Sequence, residues 1–365
     1  MIGHISPTAR EVMALHRADL PAGWIYADKA PESRPTDWLI PDRLARGHVT
    51  YLYGEEGIGK STWWVLQVQE VTARCEYVVL IFTEDGWEDT LRGRLECAGV
   101  DMTYVILSNV SEDGEFEPGI PGPGRMLTED LPDISLVVVD GIADAATVAR
   151  GHLPKHSEWR EVFGEWARYA RKKNAAVLAL GHTNRDTQSG TRGAVGLSGQ
   201  IRQKVRLNIL AQRDEEGRLA VGVEKSNICS DAEPVDLYTI ETVDMGHGVT
   251  TTIARAAGAG KLSAKKLFSV MAAQSQVAED EAEIERLDGC VGDLVKLLDS
   301  AEQDSDGWML ATEVTLLLTT GKGPSKTRWS ENKVGRARTE AIHNRYIEAT
   351  HPVVPGPWYW RAADR

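Results

Sequence analysis

One stretch constrains this chain more than any other: Gly54-Glu55-Glu56-Gly57-Ile58-Gly59-Lys60-Ser61-Thr62. It fits the pattern Gly-x-x-x-x-Gly-Lys-Ser of a phosphate-binding loop. Residues 48–53 (HVTYLY) before it read as a strand, and the apolar-rich run through about Thr72 reads as a helix. Strand, loop and helix in that order are the context the pattern requires. Its glycines let successive backbone N–H groups turn inward around phosphate oxygens, and the helix N-terminus adds a favourable dipole. The implied ligand is ATP with Mg2+: Lys60 on the β and γ phosphates, Ser61 on the metal.

The rest of the first 260 residues has the rhythm of an α/β fold. Apolar runs at 77–82, 104–107, 134–140 and 175–182 predict strands, and 157–174 has amphipathic helical spacing. Strands apolar throughout and separated by helices predict a parallel sheet covered on both faces. Residues 112–127, rich in Gly, Pro and acid, read as a loop. VRLNILAQ and RLAVGVEK, separated by RDEEG, predict a hairpin added at the sheet edge, with two more short strands near 236–254.

Three further residues complete a candidate site. Asp140 ends the run ISLVVVD, eighty residues after Lys60, at the ligand edge of a parallel sheet, where it can hold magnesium. Glu84 and Asp85 follow YVVLIFT. Hydrolysis of a γ-phosphate needs a carboxylate to orient the attacking water. Glu84 has the longer reach and the earlier place, while Asp85 also suits a helix cap. GHTNR ends the fifth strand and offers His182 or Thr183 to face the γ-phosphate.

Composition limits the alternatives. The 365 residues carry a net charge of -13, which argues against a wholly basic coat on nucleic acid but leaves room for a local basic patch. No run of 18 apolar residues offers a membrane span, and the first residues lack the apolar core of a signal peptide. The four cysteines, Cys75, Cys97, Cys229 and Cys290, are scattered, so neither a zinc site nor a disulfide framework is expected, and a cytoplasmic setting is.

The order of these motifs resembles the RecA-like ATPase core, and within it the RepA-like branch. That branch comprises hexameric replicative helicases of plasmids and related ATPases of phages and mobile elements. The resemblance rests on DWLIPDRLARGHVTYLYGEEGIGKST, LIFTEDGWEDTLRGRL, LVVVDGIAD, NAAVLALGHTNRD, TRGAVGLSGQIRQKVRLNI and VGVEKSN, and covers about residues 37–230. It implies Glu84 as the catalytic carboxylate, Asp140 as the magnesium-binding acid and His182 as the γ-phosphate sensor. It also implies a homo-oligomeric, hexameric ring in which a neighbour supplies a basic finger, with Arg192, Arg206 and Lys225 as candidates. The Gly-rich loop 184–199, carrying Arg185 and Arg192, corresponds to the loop that holds single-stranded DNA in such rings.

Beyond the core, residues 257–290 read as a linker and acidic helix. From Glu279 to Asp306 there are 11 acidic residues against Arg286 and Lys296. From Gly307 onward 9 basic residues face 5 acidic ones. In 291–365, two short helices, a longer one with a Ser N-cap and an aromatic hairpin resemble a winged helix-turn-helix. Lys333, Arg336, Arg338 and Arg345 would decorate its third helix, with Arg338 and Arg345 on one face. Residues 1–36 form a Pro-rich lead-in. The expectation is a Mg-ATP-hydrolysing DNA helicase or translocase, working with other replication proteins on a plasmid, phage or mobile element. The alternatives are a non-translocating assembly or regulatory ATPase and an ATP-switched winged-helix DNA-binding protein.

Overall fold

A computed structural model describes residues 19–111, 116–155, 157–183, 201, 204–246, 248–274, 289–302, 307–351 and 356–363. The chain divides after Asp37 into two units. Of the first, residues 19–37 are almost wholly exposed and contain one 3-10 turn, Ala27–Lys29.

The second unit opens with a small hairpin, β1 (Trp38–Ile40) and β2 (Leu44–Ala45). β3 (Val49–Gly54) leads through the Gly-rich loop into α1 (Lys60–Thr72). β4 (Tyr77–Phe82), a π-turn at Trp87–Leu91 and α2 (Arg92–Ala98) follow, then β5 (Val105–Leu107). α3 (Pro123–Thr128) lies where a loop is expected from composition. β6 (Ile134–Asp140), α4 (Ile142–Arg150), α5 (Trp159–Lys173) and β7 (Ala176–His182) complete the parallel part. β8 (Leu207–Arg213), β9 (Leu219–Ser226), β10 (Pro234–Gly246) and β11 (Val249–Ser263) extend it.

These nine strands form one sheet in the order β11-β10-β9-β8-β3-β7-β6-β4-β5. From β8 to β5 all pairs are parallel, and β8, β9, β10 and β11 run antiparallel in succession. This is the mainly parallel, helix-covered α/β sheet of a RecA-like P-loop core, with the loop-bearing strand β3 between β7 and β8. Alternate residues of β3 serve opposite layers: Val49, Tyr51 and Tyr53 pack with α5, while Leu52 packs with Trp63 and Trp64 of α1. Burying each such large apolar side chain contributes roughly 1.5–3 kcal/mol.

Two expectations need correction. The stretch ARAAGAGKLSAKK, linker-like in composition, is the second half of β11 followed by a helix over 264–274, here α6. β11 is the outermost strand and pairs on one side alone, with β10, among the described residues. The two short strands expected near 236–254 are therefore a long hairpin of 13 and 15 residues.

The C-terminal elements are α7 (Gly289–Glu302), β12 (Met309–Leu310), α8 (Ala311–Thr319), α9 (Glu331–His343), β13 (Ile347–Thr350) and β14 (Tyr359–Ala362). The three strands form a separate antiparallel sheet, β12-β14-β13. Leu294, Leu298, Val314, Leu318, Val334, Ala337, Ala341 and Trp360 make its core. Arg345 corrects the sequence reading: α9 ends at His343, and Arg345 lies beyond it with φ 59°, turning the chain into β13. It therefore shares no helix face with Arg338.

Candidate active site

The site lies where four parallel strands end. Gly54 closes β3, His182 closes β7, Asp140 closes β6, and Glu84 stands two residues past β4. Because these strands are neighbours, residues far apart in sequence meet at one sheet edge. Such an edge is the ligand-binding side of an open parallel sheet.

The loop has the backbone that anion binding needs. Gly57 and Gly59 have φ of 69° and 107°, a left-handed conformation that costs most other residues strain. Gly54 is required for a different reason. A Cβ there would lie 2.3 Å from the Ala211 carbonyl oxygen of β8, which presses directly on the loop's first residue. Glu55, Glu56 and Gly57 are exposed, whereas Ile58 is buried, so its apolar side chain anchors the loop's centre. The Thr62 hydroxyl donates to Gly59 O at 2.7 Å and pins the first helical turn.

The Lys60 ammonium is folded back on the loop, donating to Gly54 O at 3.0 Å and Glu55 O at 2.7 Å. Burial holds its pKa below the ordinary value, against the opposing pull of Asp140, Glu84, Glu56 and Glu55. Lys60 Nζ also lies 3.3 Å from His182 Nδ1, and His182 Nε2 lies 2.8 Å from Glu84 Oε1. An ammonium can only donate, so Nδ1 accepts and the ring proton sits on Nε2, directed at Glu84. The histidine thus bridges the loop lysine and the strand-end carboxylate. Thr183, its alternative, uses its backbone N–H on Gly54 O at 3.1 Å.

The two neighbouring acids differ in environment. Asp85 is tied to Arg94 at 2.8 Å, a largely buried ion pair that fastens the strand end to α2. Glu84 is exposed, and His182 is its hydrogen-bond partner among the described residues. Asp140 is buried, and one of its oxygens, Oδ2, accepts from Trp64 Nε1 at 2.8 Å and from Ser61 Oγ at 3.2 Å. Burial pushes its pKa up to about 6; Glu84 and Asp85 push the same way, and the Trp64 and Ser61 hydrogen bonds push back. Trp64 was missed by sequence reasoning because it stands in an apolar helix. Its only signal was a polar N–H one turn after Lys60.

The pairing of Ser61 with a costly buried carboxylate fits a hard divalent cation such as magnesium, which takes oxygen donors.

The basic candidates lie elsewhere. Leu207 pairs with Thr50 and Asn208 with Lys225, so Arg206 and Lys225 stand at the opposite edge of the sheet. Arg206 is near enough to His48, just before β3, to help depress that histidine's pKa behind the larger effect of burial. At about 3.3 Å per residue, both are roughly 15 Å from their own loop. Arg185 and Arg192, with the loop 184–199, lie outside the described residues. Lys333 stacks over Trp329 at 5.4 Å and Arg338 over Trp360 at 5.9 Å, while Arg336 is exposed.

Comparison with known proteins agrees with this geometry over the first half of the chain. The AAA domain family (AAA_25) matches residues 14–188. Among solved structures, one ATPase domain is similar at 12% identity, covering 53% of this chain and 81% of that one, with a TM-score of 0.39. The RadB recombinase is similar at 18% identity, covering 57% of this chain and 91% of that one, with a TM-score of 0.39. No curated protein matches. No described helix is long and apolar enough to cross a membrane.

Proposed function

We propose that this chain is a magnesium-dependent ATPase that works as a ring-forming helicase or translocase on single-stranded DNA. Its setting would be the replication of a plasmid, phage or mobile element, alongside other replication proteins. The observation that carries the reading is the continuous link Lys60–His182–Glu84 beside the Ser61–Asp140 pair. It joins a phosphate-binding group, a sensor and a base at one edge.

When ATP enters, its phosphates take the Lys60 ammonium from the Gly54 and Glu55 carbonyls. Ser61 and Asp140 would hold magnesium, which supplies charge neutralisation across the phosphates. Glu84 accepts a proton from the attacking water as that oxygen bonds to the γ-phosphorus and the bond to ADP breaks. Asp85, engaged with Arg94, is not free for this role. His182 donates to Glu84 and reports on Lys60, so it senses whether the γ-phosphate is present.

Arg206 and Lys225 are too far from their own loop to serve it. Their place at the opposite edge suits a head-to-tail ring, in which one subunit's far edge meets the next one's loop. A cation arriving there stabilises charge developing in the transition state. Arg192 remains a finger candidate, and Arg185 and Arg192 the DNA contacts, on the resemblance alone. The C-terminal order α7-β12-α8-α9-β13-β14 supports the winged helix-turn-helix reading.

Steady-state ATP hydrolysis with and without single-stranded DNA, for wild type and Glu84→Gln, tests the proposal. Strong DNA stimulation that disappears in the variant is expected. Hydrolysis indifferent to DNA would overturn the motor reading, and full activity in Glu84→Gln would overturn the choice of base.

A further inference from the structure

The face of α9 that points away from its core has a composition of its own. The helix is anchored through Val334, Ala337 and Ala341. At 100° per residue, the positions opposite these are Asn332, Arg336, Thr339 and His343. Asn332, Arg336, Thr339 and His343 are all exposed. The row contains no carboxylate, and the helix's two glutamates, Glu331 and Glu340, lie off it. Asn332, Arg336 and His343 make no hydrogen bond or ion pair with the described residues. Thr339 spends its hydroxyl on Gly335 O at 3.1 Å, which leaves its methyl as the free group.

Lys333 and Arg338 are used differently. They flank the row, each held over a tryptophan ring. Charge on the flanks and forked or amide donors along the centre divide as contacts to a nucleic-acid duplex do. Flanking cations meet phosphates and fix the docking, and the central groups meet base edges. A row about 16 Å long, at 1.5 Å per residue, matches four to five base pairs of a groove wide enough to admit a helix.

From this row we infer that the C-terminal module binds duplex DNA sequence-specifically through the major groove, with Asn332, Arg336, Thr339 and His343 as the reading residues. This rests on the winged helix-turn-helix reading but not on ATP hydrolysis. The chemistry of the row sets the site. Arg336 forks onto guanine O6 and N7, Asn332 pairs with adenine N6 and N7, and the Thr339 methyl packs on a thymine methyl. The chain would then combine a motor indifferent to sequence with a reader of one site, so that it selects its own place of loading.

The test is selection of duplexes from a random-sequence pool by the full chain, without ATP, followed by binding titrations on the enriched site. The expected result is a short motif containing guanine and adenine, bound about 10- to 100-fold better than a scrambled duplex. Arg336→Ala and Asn332→Ala should erase that preference at one base pair each while leaving scrambled-duplex binding intact. Arg336→Lys should lose the guanine preference but keep the charge. Lys333→Ala should weaken all duplexes alike. Absence of any enriched motif, enrichment of single strands over duplexes, or a motif unaffected by Arg336→Ala and Asn332→Ala would overturn the inference. Measuring DNA-stimulated hydrolysis on the same preparations separates this failure from failure of the motor reading.

Discussion

Replacing Asp140 with Asn should make the empty protein more stable while removing its magnesium-dependent activity. The wild-type carboxylate is buried and its pKa stands at about 6, against an ordinary 3.8. A raised carboxylate pKa means that the group's stabilising contribution is fully present below the ordinary value. It is lost as pH rises through about 6. At about 1.4 kcal/mol per pH unit, the ionised wild-type carboxylate costs about 3 kcal/mol at pH 8. Asn carries no charge, and its oxygen can still accept from Trp64 and Ser61. Urea denaturation followed by tryptophan fluorescence should give Asp140→Asn an advantage of about 3 kcal/mol at pH 8, most of it gone by pH 4.5. Adding Mg-ATP at a hundredfold excess over its Kd should return about 2.7 kcal/mol to the wild type and little to the variant. A variant no more stable than wild type at pH 8, or an equal gain at both pH values, would refute the reasoning, because burial of charge would not then be the cause.

Trp64→Phe removes the N–H that orients the same carboxylate. A hydrogen bond to a charged group contributes about 1.5–3 kcal/mol, so the magnesium concentration for half-maximal hydrolysis should rise about tenfold or more, with metal-free ADP affinity unchanged; a magnesium titration beside ADP binding checks both. Gly54→Ala drives a Cβ into the Ala211 carbonyl and should cost about 1–3 kcal/mol, read as a lower Tm together with weakened ATP binding. Asp85→Asn breaks the pair with Arg94 and should lower stability by about 1–2 kcal/mol, discounted for partial exposure, yet leave hydrolysis within a few-fold of wild type. A collapse of hydrolysis in Asp85→Asn with stability intact would reverse the roles assigned to Glu84 and Asp85.

The parallel core was legible because its strands are buried on both faces and so read as unbroken apolar runs. ISLVVVD spans 134–140 in both readings. The Gly-rich loop was legible because few other sequences meet its backbone demands. What stayed hidden depended on contacts made far along the chain. β11 looked like a linker because Ala and Gly have low strand propensity, and pairing with β10 overrides that. Asp85 looked like a helix cap, and only the fold brings Arg94 to it. Arg345 looked helical because no glycine marks the end of α9, although it takes the left-handed conformation there itself.

The outer edge of β11 bears on how the protein ages in solution. From Ala256 to Gly260 it presents a row of small, exposed residues with backbone groups turned away from β10. An unpaired strand edge is a template on which another chain can grow. Here Arg255 and Lys261 bracket the row, a gatekeeper arrangement of charges at its two ends. Neutralising both would remove the barrier to edge-to-edge stacking. Concentrated stocks would then turn over slowly into aggregate seeded from this strand, while freshly purified protein would behave as before.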